Sequence, residues 1–239
     1  GFLDGTMAGL VEKLKHVRRT SRVFIVCGTD EAAARLKKLF LEYELGVVPV
    51  GGLLLVAFCD VQDDRLEVEI KAYGRGKESW SVDYRVIQVP DQNGQPIKTS
   101  SPEVWQELGD LLAKDWPRES GGTMPIMAMG IDTGFRPQMV YDFAARHPQP
   151  AHGPAGDQII AQRSVVPTKG TDNAFKLISA VSGTDAARKR QGVRIWSVGT
   201  HWAKQEFYDW LRLDLPTDPE ETFPAGYQHY AYGDPDFYK

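Results

Sequence analysis

The sequence predicts an α/β fold around a mixed sheet: an antiparallel meander of three strands, then a helix, a parallel strand and a second helix. Three observations support this prediction. Residues 53–60 and 125–132 are continuous apolar runs of strand length, typical of strands buried on both faces. Residues 66–72 and 80–86 alternate apolar and polar side chains with a period of two. Residues 102–112 repeat apolar side chains at helical spacing.

The first 50 residues predict an appendage of helix, strand and helix, and residues 51–239 predict the main domain. The elements expected in the appendage are a helix at 8–17, a strand at 23–27, a helix at 30–45 and a short strand at 47–50. Thr29 suits the N-cap of the second helix. One strand–helix–strand unit is too small to be a stable parallel-sheet domain, so we expect it to pack on the main domain.

The main domain opens with the predicted meander. Its first strand ends at Asp60, and its second alternates apolar residues from Leu66 to Ala72 with charged ones. Turn residues at 74–77 separate the second strand from the third, which alternates from Trp80 onwards. Three consecutive strands with short connections favour antiparallel neighbours.

A helix begins at Pro102, since proline is favoured in the first helical position. The second apolar run follows and ends at Asp132, and a further helix is expected over residues 138–146. The order of three strands, helix, strand and helix is that of the ribonuclease-H-like core, which we infer by analogy of pattern.

The remaining chain is less regular. We expect strands at residues 159–161 and 193–198 and a helix capped by Thr200. Its inward-facing side chains are expected to be Ala203, Phe207, Trp210 and Leu211. The last 25 residues, rich in Pro, Gly, Asp and Tyr, are expected to be irregular.

Composition limits the possible functions. A hydrophobic content of 42% is ordinary for a soluble globular protein, and a net charge of −4 means that a nucleic-acid partner would require a local basic patch. Cys27 and Cys59 lie in apolar runs, which favours buried thiols over a disulfide. The sequence has neither an apolar stretch of about 18 residues nor a secretory signal pattern. We therefore expect a cytoplasmic protein with no membrane partner.

Asp60 and Asp132 are the candidate catalytic and metal-binding residues. An aspartate at the end of a buried strand is costly to bury unless it is paired or binds a cation. Two such residues at one edge of a sheet suit a divalent metal ion. The alternative is that each caps a turn, which Asp does commonly beside Gly. Asp63 and Asp64 are expected to be turn residues, and Glu67 is expected to face solvent.

Other candidates have weaker patterns. Lys169 and Lys204 are candidate DNA-binding residues that could contact phosphates, although both are equally compatible with a solvated surface. The histidines and cysteines show no zinc spacing, and the chain contains no phosphate-binding Gly-x-x-x-x-Gly-Lys-Ser/Thr loop.

Several motifs together resemble the nuclease domain of lambda-type phage terminase large subunits over about residues 50–239. The segment from Cys59 to Glu69 resembles the first acidic motif, and the Gly130 to Gly134 segment with residues 140–143 is similar to the second. Later landmarks follow in order at Lys169-Gly170, at Val198-Gly199-Thr200 with Ala203-Lys204, and at residues 224–229.

The resemblance implies a function. Such proteins cut concatemeric viral DNA and, through a separate ATPase domain, drive it into the capsid. It implies that Asp60 and Asp132 are the first two metal-binding acids, for Mg²⁺ or Mn²⁺ and for two ions in an intact site. It also implies double-stranded DNA, the terminase small subunit and the portal as partners, in the host cytoplasm.

This sequence departs from the family pattern in two ways. We expect neither the ATPase domain nor the later helix that carries the family's third acid within residues 1–239, and Glu206 and Asp209 are poor substitutes for that acid. We therefore expect a nuclease domain that is incomplete at its carboxyl end and impaired. Two other functions stay open: an inactive DNA- or portal-binding remnant, and a nucleotide-binding signalling protein, since residues 21–50 vaguely resemble the opening of TIR-like domains.

Overall fold

The computed structural model describes residues 47–148, 151–152, 158–159, 161–172, 176–180, 192–214, 216–217 and 222–230. They belong to a compact unit that spans Val48–Tyr230. The elements expected between residues 8 and 45 lie outside the described residues, as does Cys27. The division into an appendage and a main domain therefore stays a prediction. At residues 47–50, instead of the expected strand, the structure shows a single bridge from Val48 to Arg118.

The described residues form a mixed α/β structure, which confirms the α/β class. Its strands are β1 Leu54–Val61, β2 Leu66–Tyr73, β3 Ser79–Ile87, β4 Asp115–Pro117, β5 Thr123–Pro125, β6 Ala128–Asp132, β7 Ala151–His152, β8 Gln158–Ile159, β9 Ser164–Thr171, β10 Ile178–Ala180, β11 Trp196–Gly199 and β12 Gln228–His229. Its helices are α1 Pro102–Ala113, α2 Pro137–Ala144 and α3 Thr200–Leu211. Within the described residues, the main sheet has the order β10-β11-β9-β6-β1-β2-β3-β12.

The predicted meander is confirmed. Strands β1 and β2 are antiparallel, with Val61 opposite Leu66, and β2 and β3 are antiparallel with a register shift after Ile70. Burial along β2 alternates strictly, as its period-two sequence predicts. The predicted parallel strand is also confirmed, because β6 lies beside β1 in parallel orientation.

One face of the sheet carries the hydrophobic core. Alternate residues of β1, among them Leu55 and Cys59, are fully buried with the apolar faces of α1 and α2. The two helices meet where the rings of Trp105 and Phe143 lie 5.5 Å apart. Strands β1 and β6 thus lie at the centre of the main sheet, packed on this face. Burial raises the pKa of the Cys59 thiol, as expected for a buried free cysteine.

The other face of the sheet is only partly covered. The prediction that the apolar run ending at Asp60 is buried on both faces is wrong, since Phe58 is 47% exposed. Helix α3 lies on this side, where Phe207 and Trp210 approach β1 and β6, but none of its residues is fully buried. The prediction that Leu211 faces inward is also wrong, because this side chain is 47% exposed.

Strands β9 and β12 are among the strands that the sequence did not predict. Strand β9 contains Pro167, which argues against a central strand because proline cannot donate to the ladder. The structure accommodates it because β11 pairs with β9 only from Thr168 onwards, so Pro167 precedes that pairing. Strand β12 lies in the segment expected to be irregular and pairs with the start of β3. None of the described helices is long and apolar enough to cross a membrane.

Candidate active site

Asp60 and Asp132 lie opposite one another on neighbouring strands. The parallel register of β1 and β6 pairs Cys59 with Ile131, and the two aspartates are the next residue on each strand. Adjacent strands are about 4.8 Å apart, and residues in register project to the same face. Both aspartates are partly exposed and lie on the open face of the sheet. The backbone thus places the two carboxylates side by side at the carboxyl ends of β1 and β6.

Each carboxylate has one hydrogen bond from its own loop. The Gln62 side chain donates to Asp60 Oδ2 at 2.5 Å, and the Gly134 backbone N–H donates to Asp132 Oδ2 at 2.9 Å. Asp132 therefore does cap a turn, through its Oδ2 atom, as the alternative interpretation expects. No described residue hydrogen-bonds Oδ1 of either aspartate, so a turn-capping role and cation binding are compatible here.

The loops after the two aspartates are tied together. Arg136, four residues after Asp132, donates from Nη2 to Asp63 Oδ1 at 2.5 Å, and Lys98 Nζ lies 3.4 Å from Asp63 Oδ2. The Arg136 hydrogen bond is the main reason that the pKa of Asp63 is lowered, with Lys98 adding to it. Asp63 therefore acts as an ion-pair partner in the turn between β1 and β2.

Glu67 is a third carboxylate next to this pair. It lies opposite Asp60 in the antiparallel pairing of β1 and β2. Tyr84 Oη donates to Glu67 Oε2 at 2.6 Å and Arg65 Nε donates to Oε1 at 2.7 Å, so Glu67 is anchored rather than simply turned to solvent. Both bonds lower the pKa of Glu67, the one from Tyr84 most, while burial and this bond raise the pKa of Tyr84 to about 12.

The sequence contains the signal that places Glu67. Once the hairpin closes at Val61 and Leu66, the antiparallel register requires Asp60 and Glu67 to face each other. Even so, the described residues hold no group of three or more His, Cys, Asp or Glu side chains close enough to bind one ion.

Neither candidate DNA-binding lysine lies on β1 or β6, the strands that carry the aspartates. Thr168 is the β9 residue opposite Asp132, so strand alternation directs the next residue, Lys169, to the other face of the sheet. Lys204 is exposed on α3. The proposed substitutes for a third acid are engaged elsewhere: Glu206 pairs with Lys77 at 2.5 Å and Asp209 with Arg212 at 3.4 Å.

A cavity of about 430 Å³ lies between α3 and the open face of the sheet. Phe58 and Gly130, two residues before the aspartates on their strands, line it, and so do Phe207 and Trp210 of α3. Lys71 also lines it, donates to Gln228 Oε1 at 2.5 Å, and has its pKa lowered by burial. No sequence pattern indicates this cavity, because the cavity depends on how α3 crosses the sheet.

Comparison with known proteins agrees with the resemblance found in the sequence. The family model described as the endonuclease domain of the terminase large subunit gpA matches residues 16–239, a range that includes most of the predicted appendage. The terminase large subunit of Escherichia phage lambda is 26% identical over 185 residues, which are 77% of this chain and 25% of the lambda protein. The chain thus spans about a quarter of that relative's length. No solved structure matches it.

The family match extends over most of the chain and contains both strand-ending aspartates, the loops that tie them together and α3. The resemblance predicted from the acidic motifs is therefore confirmed, and the chain belongs to the terminase large subunit gpA endonuclease family.

Proposed function

We propose that this chain is a metal-dependent DNA endonuclease domain of a phage terminase large subunit, which cuts concatemeric viral DNA during genome packaging. The observation that carries the proposal is the opposed position of Asp60 and Asp132 on neighbouring parallel strands. Family membership supports the reaction class, hydrolysis of phosphodiester bonds. The strand order β3-β2-β1-β6, with an antiparallel meander beside a parallel strand, supports a ribonuclease-H-like fold.

The donor set suits a hard divalent cation. Carboxylate oxygens are the side-chain ligands that Mg²⁺ prefers, and Mg²⁺ commonly binds through one or two carboxylates while keeping several waters. Endonuclease domains of this family generally use divalent metals. We propose that Asp60 and Asp132 hold Mg²⁺ or Mn²⁺ through the Oδ1 atoms. A second ion would need a further carboxylate, and Glu67 is the described acid opposite Asp60.

A bound divalent ion would activate water and stabilise the leaving oxygen of the phosphodiester. The chain's own residues fix where this takes place. Gln62 and Gly134 orient the two carboxylates through their Oδ2 atoms. Arg65 and Tyr84 hold Glu67 as an anion, which adds negative charge on the side of Asp60 away from Asp132. The cluster therefore favours a cation over direct contact with phosphate.

The partners follow from the resemblance and are part of the proposal. Double-stranded DNA is the substrate, and the terminase small subunit and the portal are the protein partners, in the host cytoplasm. Lys169 and Lys204 remain candidate DNA contacts. Because they lie on β9 and α3 and not on the strands that carry the aspartates, we propose that they contact the DNA backbone and not the metal ions.

A plasmid-nicking assay in Mg²⁺ and in Mn²⁺ tests the proposal. We expect Asp60→Asn and Asp132→Asn each to lower the nicking rate at least about 100-fold, since both remove a ligand charge. Asp209→Asn is the matched control, because it removes an exposed aspartate that pairs with Arg212 on α3. Wild-type protein that neither nicks DNA nor binds Mn²⁺ would sink the proposal.

The second candidate is an inactive DNA- or portal-binding remnant. The absence of a three-acid group among the described residues favours it. It predicts salt-dependent DNA binding that is unchanged by Asp60→Asn and Asp132→Asn, with no cutting in either metal.

A further inference from the structure

A chain of hydrogen bonds connects the two aspartates through neighbouring loops. Asp60 accepts from the Gln62 side chain, and Thr99 Oγ1 donates to the Gln62 backbone oxygen at 2.6 Å. Arg136 Nε donates to the same Thr99 Oγ1 at 3.1 Å. The loop that carries Arg136 begins at Asp132, whose carboxylate accepts from Gly134 N–H. The connection therefore runs from one carboxylate to the other without passing through the sheet.

Arg136 is the residue that joins the two sides. Its guanidinium donates to Asp63 and to Thr99 at once, and it packs against the Phe135 ring with its centre 5.0 Å from the ring centroid. Its backbone is left-handed, with φ 46°, a conformation that is uncommon for a non-glycine residue.

Thr99 anchors this connection in the core. It is fully buried, its backbone N–H donates to the Asp63 oxygen at 2.9 Å, and its own backbone oxygen accepts from the Trp105 indole at 2.8 Å. Trp105 belongs to the packed face of α1. Movement of Arg136 would therefore shift the loop after Asp132 relative to a fixed point, while the loop after Asp60 would stay attached to that point.

We propose that Arg136 is a positioning residue of the two-aspartate site: it holds the loop after Asp132 in register with the loop after Asp60, so that both carboxylates can bind one divalent cation. This role rests on the proposed function. It requires arginine, because the fixed fork of the guanidinium supplies Nε to Thr99 and Nη2 to Asp63 together, whereas a lysine ammonium is a single point donor.

Calorimetric titration with Mn²⁺ alone tests this role without depending on cleavage. We expect Arg136→Ala to raise the Mn²⁺ dissociation constant about 10–100-fold, the range typical when outer hydrogen-bond partners of metal ligands are removed. We expect Arg136→Lys to recover only part of the loss. Thr99→Val should weaken Mn²⁺ binding as well. The loss of binding free energy in the Thr99→Val/Arg136→Ala double variant should be smaller than the sum of the losses in the two single variants.

Lys98→Ala is the matched control. Lys98 also pairs with Asp63, yet it lies on the Thr99 side and does not connect to the Asp132 loop. Its removal should leave Mn²⁺ affinity within about twofold of wild type, consistent with the small contribution of exposed ion pairs. Melting temperatures of all variants show whether each protein is folded at the titration temperature. If the Arg136→Ala protein is unfolded there, the Arg136→Lys protein is titrated in its place.

The outcomes separate the possible roles. Unchanged Mn²⁺ affinity in folded Arg136 variants would overturn the positioning role and leave the proposed metal site intact. Unchanged Mn²⁺ affinity with a raised KM for DNA would also overturn it, and would make Arg136 a substrate contact. A wild-type protein that binds no Mn²⁺ would remove the proposed metal site, and this role with it.

Discussion

At the residue scale, Gly134 determines how Asp132 is held. A Cβ atom at position 134 would lie 2.7 Å from Asp132 Oδ2, closer than real Cβ contacts allow. A Cβ atom at this position would therefore force the carboxylate to move from its present hydrogen bond with the Gly134 N–H. The same short loop contains Arg136, whose guanidinium donates to Thr99 and Asp63. Gly134 therefore lies between the held carboxylate and the residue that joins the two loops.

Gly134→Ala is expected to displace the Asp132 carboxylate and to weaken Mn²⁺ binding roughly tenfold. Titration calorimetry measures this effect. Gly109→Ala is a suitable control, since its Cβ would meet only Phe143 Cε2 at an ordinary 3.8 Å and lies away from the aspartates. Equal Mn²⁺ affinity in the Gly134→Ala and Gly109→Ala proteins would contradict the expected role of Gly134.

Glu67 provides a pH-dependent test at the same scale. Its pKa is lowered from 4.5, chiefly by the Tyr84 hydrogen bond, so it stabilises the fold above pH 4.5 and this contribution is lost as pH falls through the lowered pKa. We expect Tyr84→Phe to lower the free energy of unfolding by about 1 kcal/mol at pH 7. The difference from wild type should shrink below about pH 4. Urea unfolding at pH 7 and pH 3 measures it, and a difference of equal size at both values would contradict the assignment.

At the scale of elements, the sequence predicts what depends on local pattern. Strands β1, β2 and β3 and helix α1 follow from alternation, turn residues and an N-terminal proline, and they carry Asp60. Strand β9 does not follow, because Pro167 is tolerated only through the late start of β11. The role of Arg136 cannot be predicted from the sequence either. Its partners Thr99 and Asp63 are 37 and 73 residues away in the chain, and only the folded loops bring them together.

Helix α1 also gives a prediction about stability. Gly109 lies in the middle of the helix, where glycine costs about 0.5–1 kcal/mol relative to alanine because the unfolded chain loses more freedom. The space beside it accepts a methyl group without a close contact. We therefore expect Gly109→Ala to raise the free energy of unfolding by about that amount in urea titrations. A lower value would show that the Phe143 ring has to move.

At the scale of the whole molecule, the two faces of the sheet differ. One face packs against α1 and α2, whereas the other carries the aspartates, Glu67 and a cavity beneath α3. Stability therefore resides mainly on the face that lacks the candidate site. Substitutions of the aspartates should leave the packed face intact, which makes changes in metal binding and in folding separable.

This separation predicts a metal-linked shift in melting temperature. At a Mn²⁺ concentration 100 times the dissociation constant, binding adds about 2.7 kcal/mol, which corresponds to roughly 5–10 °C for a domain of this size. We expect the shift in wild-type protein and not in Asp60→Asn, measured by differential scanning calorimetry. An equal shift in both proteins would place Mn²⁺ at some other site.

Cys59 provides a chemical probe for the opening of β1, a central strand of the sheet. Its side chain is fully buried on the core side of β1, one residue before Asp60, and its raised pKa keeps it in the unreactive thiol form. In a Cys27→Ser background, a thiol reagent can label position 59 only after β1 separates from α1 and α2. The labelling rate therefore reports how often β1, the strand that carries Asp60, separates from the helices.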